Sequence, residues 1–367
     1  MQNELLYQIA LTLIPNIGDV NAKALVNHFG SAQAVFHAPK KVLDAIEGIG
    51  VIRANSIKDF KDFSRAEEEI SFIKKYKITP LFLTDKNYPQ RLLNCYDSPP
   101  LLYYKGNADL NSSRIVGIVG TRNHNDYGKN ICEKLVEELA NENVIIVSGL
   151  AFGIDTIAHR TSVKNNMPTI GVLAHGLDRV YPPQNANLAK QMIEKGGLLT
   201  EFKSSTNSDK QNFPVRNRIV AGISDCIIVV ESGIKGGSLI TAELANGYNK
   251  DVFAFPGRVD DTKSAGCNYL VKNNKAMLIT CANDVLENMS WKENKKPSVK
   301  KQRELFIEFT VEEKIVIDIL QLHDQVHIDE LYFKSKLSSS EVAQALLMLE
   351  MQGIVSSLPG KMYRITP

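Results

Sequence analysis

Arg114-Ile115-Val116-Gly117-Ile118-Val119-Gly120-Thr121-Arg122 reads as a buried strand that ends in a glycine loop. Its apolar run is short and continuous rather than alternating, the pattern of a strand covered on both faces of a sheet. A helical pattern follows over 127–141, then a second strand over 144–149 and a second helix over 154–165. Residues 168–173, 198–202, 225–230 and 251–255 repeat the strand pattern, with helices between. Such alternation predicts a parallel sheet with helices on both sides. Ligands of these sheets sit beyond the carboxyl ends of the strands. The glycine-rich loops fall at those ends: Gly120, Gly149 to Gly153, Gly176, and Gly233 to Gly237.

Further along, Phe213-Pro214-Val215-Arg216-Asn217-Arg218 opens an apolar helical segment. A helix N-terminus presents free N–H groups and the positive end of a dipole. Arg216 and Arg218 add cations, Asn217 an amide, and Phe213 a flat face for a base. The same residues also fit a helix start with surface arginines and a core phenylalanine. Two loops on the same sheet edge favour the binding reading. Gly120-Thr121-Arg122 supplies amides, a hydroxyl and a guanidinium, and Gly149 to Asp155 supplies glycines at a helix start, where a phosphate can approach the backbone. Neither loop is a dinucleotide fingerprint or a P-loop.

Catalysis finds little support. Ile146 occupies the first glycine position of a serine elbow around Ser148. Asp155 and His159 lie one helical turn apart, as a base and its orienter would, but an aspartate at a helix start is more commonly a cap. The loop from Gly233 to Glu243 resembles the nucleotide loop of the cytokinin-activating phosphoribohydrolases. Ile240 and Thr241 stand where those enzymes carry a catalytic glutamate. No catalytic residue is therefore assigned, and a nucleotide-binding or nucleotide-cleaving protein related to those enzymes is the alternative function. Five scattered cysteines with no zinc spacing argue against structural disulfides and a structural zinc and fit a reducing cytoplasm, and no metal or cofactor is assigned. There is no signal-peptide pattern and no membrane span. A net charge of +2 restricts any nucleic-acid site to a local patch.

The flanks differ from the centre. The first 76 residues read as short helices with a weak repeat, Ile14-Pro15-Asn16-Ile17-Gly18 and Ile46-Glu47-Gly48-Ile49-Gly50. This resembles helix-hairpin-helix motifs, whose turn amides bind DNA phosphates, and equally fits a small bundle with glycine turns. Residues 291–308 form a basic linker. Residues 309–367 read as three helices and two strands, the order of a winged helix. The third helix, 339–352, carries Glu341 and Glu350 and no Lys or Arg, so protein contact is expected of it rather than DNA reading.

Taken together, Gly120-Thr121-Arg122, Tyr127-Gly128, Ser148-Gly149-Leu150-Ala151, Gly153-Ile154-Asp155, Ala158-His159, Gly176-Leu177-Asp178, Tyr181-Pro182, Asn185, Phe213-Pro214, Arg216 to Ile219 and Gly237 to Ala242 closely resemble the DprA (Smf) family, in order along the whole central domain. The family comprises the bacterial DNA-processing proteins of natural transformation. The resemblance implies an α/β protein. A helical, helix-hairpin-helix or SAM-like domain (1–76) precedes an extended Rossmann-like parallel sheet core (77–290), and a winged-helix domain (309–367) ends the chain. It implies no enzymatic activity. It implies binding and protection of single-stranded DNA, loading of the recombinase RecA, homodimerisation through the Rossmann-like domain and a cytoplasmic place, with no membrane contact. By the same resemblance Arg122 and Lys210 contact the strand and Phe213 contacts a base. Phe152 stands where relatives are often basic. The DNA site expected is therefore Gly120, Thr121, Arg122, Gly149, Gly153, Lys210, Phe213, Arg216, Asn217 and Arg218. Arg122, Lys210, Arg216 and Arg218 would form a positive strip. One strip is small, and two on a dimer would raise avidity.

Overall fold

The computed structural model describes residues 2–292, 309–323, 325–358 and 360–366. From residue 293 onward the expected basic linker lies outside the described residues, as does Pro359 of the expected wing turn. The chain forms two compact units, Met1–Trp291 and Lys292–Pro367.

In the first unit the strands are β1 (Thr79–Phe82), β2 (Leu101–Gly106), β3 (Ile115–Val119), β4 (Ile145–Ser148), β5 (Thr169–Val172), β6 (Gly197–Thr200), β7 (Cys226–Val229), β8 (Asp251–Ala254) and β9 (Met277–Leu278). They make one sheet in the order β1-β2-β6-β5-β4-β3-β7-β8-β9. From β6 to β9 every pairing is parallel. The strand order reverses at β3, which pairs with β4 on one side and β7 on the other.

Burial on both faces explains the continuous apolar runs. Ile115, Ile145, Val147, Ile227 and Val229 pack on one face with Ile219, Val220 and Ile223 of the helix Asn212–Ile223. Val116, Ile118, Ile146, Cys226 and Ile228 alternate to the other face. There they meet Cys132, Leu135 and Leu139 of the helix Asp126–Leu139 and Ile154, Ile157 and Ala158 of the helix Ile154–Lys164.

Two antiparallel strands, β1 at the edge and β2 beside it, lie outside the strands expected from the sequence. Pro80 in β1 argues against a strand by composition, yet it sits on an edge strand, the place where a sheet tolerates proline. The helices that precede the sheet share a core with this edge: Ile9, Leu25, Val35 and Ile57 cluster with Phe82, Leu101 and Tyr103.

The second unit is a winged helix. Helices Val311–Gln321, Ile328–Ser335 and Ser339–Met351 combine with β10 (Val326–His327), β11 (Val355–Leu358) and β12 (Met362–Ile365) in the order β10-β12-β11. Capping boxes at Thr310–Glu313 and Ser338–Glu341 start the first and third helices.

Candidate nucleic-acid interface

A cavity of about 330 Å³ opens at the carboxyl ends of β3, β4 and β7, where the strand order reverses. This is where open α/β sheets hold ligands. The loop after β3 contributes Gly120, Thr121 and Arg122 to its wall, the loop after β4 contributes Ala151, and the first turn of the helix Ile154–Lys164 contributes Asp155. The helix Asn212–Ile223 supplies Phe213, Pro214, Arg216 and Asn217. The helix Gly237–Gly247 begins at the wall with no capping side chain, and Gly236, Gly237 and Ser238 line the space. Ile240 and Thr241 line the same wall.

The β3 loop is fixed on both sides. Thr121 N–H donates to the Glu231 carbonyl at 2.7 Å, and Ile154 N–H donates to the Thr121 carbonyl at 3.2 Å. Gly153 has a φ of +81°, and a Cβ there would lie 2.2 Å from the Thr121 oxygen. Only glycine fits where these two loops cross.

Arg122 is exposed, and its guanidinium lies 4.9 Å from the centroid of the half-buried Phe213 ring. Cation and ring thus form one surface at the cavity mouth. Arg216 behaves differently. It is 4% exposed, and it donates to the carbonyls of Gly149 and Val172 and, through Nε, to Asn217 Oδ1 at 3.1 Å. Burial lowers its pKa to about 10, opposed by the nearby Asp155 carboxylate. It remains charged at neutral pH, and its field reaches the cavity from below. Gly149 does not line the cavity. It makes room for Arg216, since a Cβ there would stand 2.5 Å from the guanidinium.

Arg218 corrects the sequence reading. Its guanidinium is buried against the carboxylates of Glu201 and Asp19 and the carbonyl of Asp97, away from the cavity lining. A buried guanidinium needs acceptors for its donors, and here these carboxylates and the Asp97 carbonyl take the donors that the positive strip required. Lys210 is exposed in the turn ahead of the helix and is not part of the cavity wall. The four-residue strip therefore reduces to an exposed Arg122 with Arg216 beneath.

Asp155 and His159 are both buried; Asp155 borders the cavity and His159 does not. Asp155 accepts from Ala151 N–H at 3.3 Å, and burial raises its pKa. His159 Nδ1 meets Thr169 Oγ1 at 2.7 Å, and burial lowers its pKa to about 3. Neither forms a base-and-orienter pair open to substrate. Phe152, beside them, is exposed. A further aromatic joins the site from outside the expected residues: Tyr181, whose ring centroid lies 6.1 Å from that of Phe213. The Tyr181-Pro182 pair was its sequence signal.

Among the described residues no group of His, Cys, Asp and Glu is placed to hold a metal ion, and no helix is long and apolar enough to cross a membrane.

The chain matches known proteins along most of its length. Residues 79–290 match the family model for DNA recombination-mediator protein A. Residues 308–361 match the DprA winged-helix domain and residues 8–70 a helix-hairpin-helix motif. Protein Smf of Synechocystis sp. is 35% identical over 291 residues, covering 76% of this chain and 71% of that protein. The X-ray structure of DNA processing protein A from Streptococcus pneumoniae superposes with a TM-score of 0.67 at 33% identity, over 77% of this chain and 97% of that one. A Helicobacter pylori DNA processing protein A structure, described for its single-stranded DNA binding mode, gives a TM-score of 0.53 at 30% identity, over 58% of this chain and 96% of that one. With more than half its length matched in one ordered block, the chain belongs to the DNA recombination-mediator protein A (DprA/Smf) family.

Proposed function

We propose that this protein binds single-stranded DNA as a recombination mediator of natural transformation, with the cavity mouth at the carboxyl ends of β3, β4 and β7 as the contact. The observation that carries this is the Arg122–Phe213 pair, a cation over a half-exposed ring at the edge of the cavity. Arg122 suits a backbone phosphate and Phe213 suits the face of a base, which serves any sequence. The H. pylori relative, described for its single-stranded DNA binding mode, supports the same reading. Gly120, Thr121 and Asn217 add polar groups to the wall, and Lys210 extends the positive charge outside it.

In this reading the bound strand passes to RecA, and two copies act together in the cytoplasm. The edge strand β9, with Met277 and Leu278 about half-exposed, is a suitable face for pairing with a second copy. The nucleotide-cleaving alternative is disfavoured because Ile240 and Thr241 line the cavity where a catalytic carboxylate would be needed.

The test compares binding of single- and double-stranded oligonucleotides at two salt concentrations. Arg122→Ala should weaken all single strands alike and reduce the salt slope by roughly 0.7. Phe213→Ala should cost at least about fivefold with an unchanged slope, and Phe213→Trp should keep much of the affinity. Wild-type affinity and slope in both alanine variants, or release of free base from nucleoside monophosphates, would overturn the proposal.

A further inference from the structure

We propose that Tyr181 is a second base-stacking position, so that the site holds two successive nucleobases of a single strand, one on Phe213 and one on Tyr181. This rests on the single-strand reading above. Tyr181 is 43% exposed, and its ring lies 6.1 Å from Phe213 at an interplanar angle of 58°. Arg122 flanks the same Phe213 ring at 4.9 Å. Cation, ring and ring are thus neighbours on one surface. Bases of a stacked strand rise by about 3.4 Å. Rings nearly twice as far apart, and tilted, suit a stretched strand whose bases have splayed onto separate platforms.

Single exposed aromatics are ordinary. The support behind this one sets it apart. Tyr181 N–H donates to His175 Nε2 at 3.2 Å, and the other ring nitrogen of that buried histidine donates to the Gly176 carbonyl at 2.9 Å. Four residues on, the buried Asn185 amide donates to the Leu150 carbonyl at 3.0 Å and Thr156 Oγ1 at 2.8 Å. These bonds tie the segment to the loop that follows β4, part of the cavity wall. The backbone is held while the ring faces solvent. Its hydroxyl has no hydrogen-bond partner among the described residues. The nearest basic residue along the chain, Arg179, is occupied by Asp178 at 2.8 Å and Asn207 at 2.6 Å. Stacking rather than charge is what this position offers.

The experiment uses the full chain and a short oligothymidylate. Tyr181→Ala should lose at least about fivefold in affinity, with the salt slope unchanged, and Tyr181→Phe should bind as wild type. Tyr181→Trp adds a second tryptophan to Trp291, and its emission should be quenched when the strand binds. Wild-type affinity in Tyr181→Ala together with an unquenched Tyr181→Trp overturns the proposal, and the site reading survives if Arg122→Ala and Phe213→Ala still weaken binding. If none of the three alanine variants weakens binding, the site reading itself has failed. If Tyr181→Ala also melts earlier, the tryptophan signal decides: quenching supports the stacking role and its absence refutes it.

Discussion

Arg216 and Arg218 stand two residues apart on one helix, and both guanidinium groups turn inward, to different ends. Arg216 meets backbone carbonyls and keeps its charge under the cavity; Arg218 meets carboxylates and loses any role at the surface. Apart from the adjacent Asn217, their partners lie at positions 149, 172, 19, 97 and 201, which no local pattern connects with 216 or 218. The same holds for His159, whose spacing from Asp155 suggests chemistry while its burial removes it. Folding holds this imidazole neutral, with its pKa lowered from 6.5 to about 3. A depressed histidine contributes stability above the unfolded value, and that stability is lost as pH falls towards the folded one. Between about pH 6 and pH 4 the wild type should therefore lose up to about 1.4 kcal/mol per pH unit more than His159→Gln. Chemical unfolding of both proteins across that range checks this, and parallel stability profiles would show that His159 does not titrate on unfolding. The residue types of the site were thus legible in the sequence. Which of them keep free donors was not, because that depends on contacts across the fold.

Helices and strands were easier to read than side-chain roles, for reasons that differ by element. β3, β4 and β7 are buried on both faces, so their runs are apolar apart from Ser148 at the end of β4. β1 carries Pro80 at the sheet edge, and β10 is two residues long, too short for any periodicity. The third winged-helix helix, Ser339–Met351, shows both what a pattern gives and what it omits. Its start is marked by Ser338 and Glu341, which form a capping box. Glu350 accepts from Ser357 N–H at 3.0 Å on the strand that follows. Leu347, Met348 and Met351 are exposed, and no cation stands among them. Gln344 is an exposed amide on the same face, but a groove-reading helix also needs cations to meet the phosphates on either side. Deleting everything after Arg303 should accordingly leave single-strand affinity within about tenfold of the full chain, or 1.4 kcal/mol. A larger loss in an anisotropy titration would assign DNA contacts to Lys361 and Arg364 on the wing, or show that the unit supports pairing of two copies.

At the scale of the first compact unit, the amino-terminal helices act as a brace behind the helix that carries Phe213 and Arg216. On the helix Asp19–Phe29, Asp19 pairs with Arg218 at 2.8 Å. One turn later, Lys23 Nζ donates to the carbonyls of Leu93 at 2.5 Å and Cys95 at 2.7 Å. A second tie joins the helix Ser64–Tyr76 to the loop after β6: the buried Glu69 pairs with Arg65 at 2.8 Å and accepts from Ser204 N–H at 3.0 Å. Arg53, beside the second hairpin turn, donates to the carbonyls of Asn16 at 3.0 Å and Gly48 at 2.9 Å. The basic residues that flank the two hairpin turns are therefore occupied within the fold. Lys23→Ala should lower the unfolding midpoint and leave the salt slope of single-strand binding unchanged, since no phosphate contact is lost. A double-mutant cycle of Asp19→Ala and Arg218→Leu should give a coupling energy of about 1–3 kcal/mol, as contacting groups in one ion network do. Additivity within about 0.5 kcal/mol would mean that the pair does not fasten the helices to the sheet. A salt slope reduced in Lys23→Ala would return the hairpin turns to the DNA.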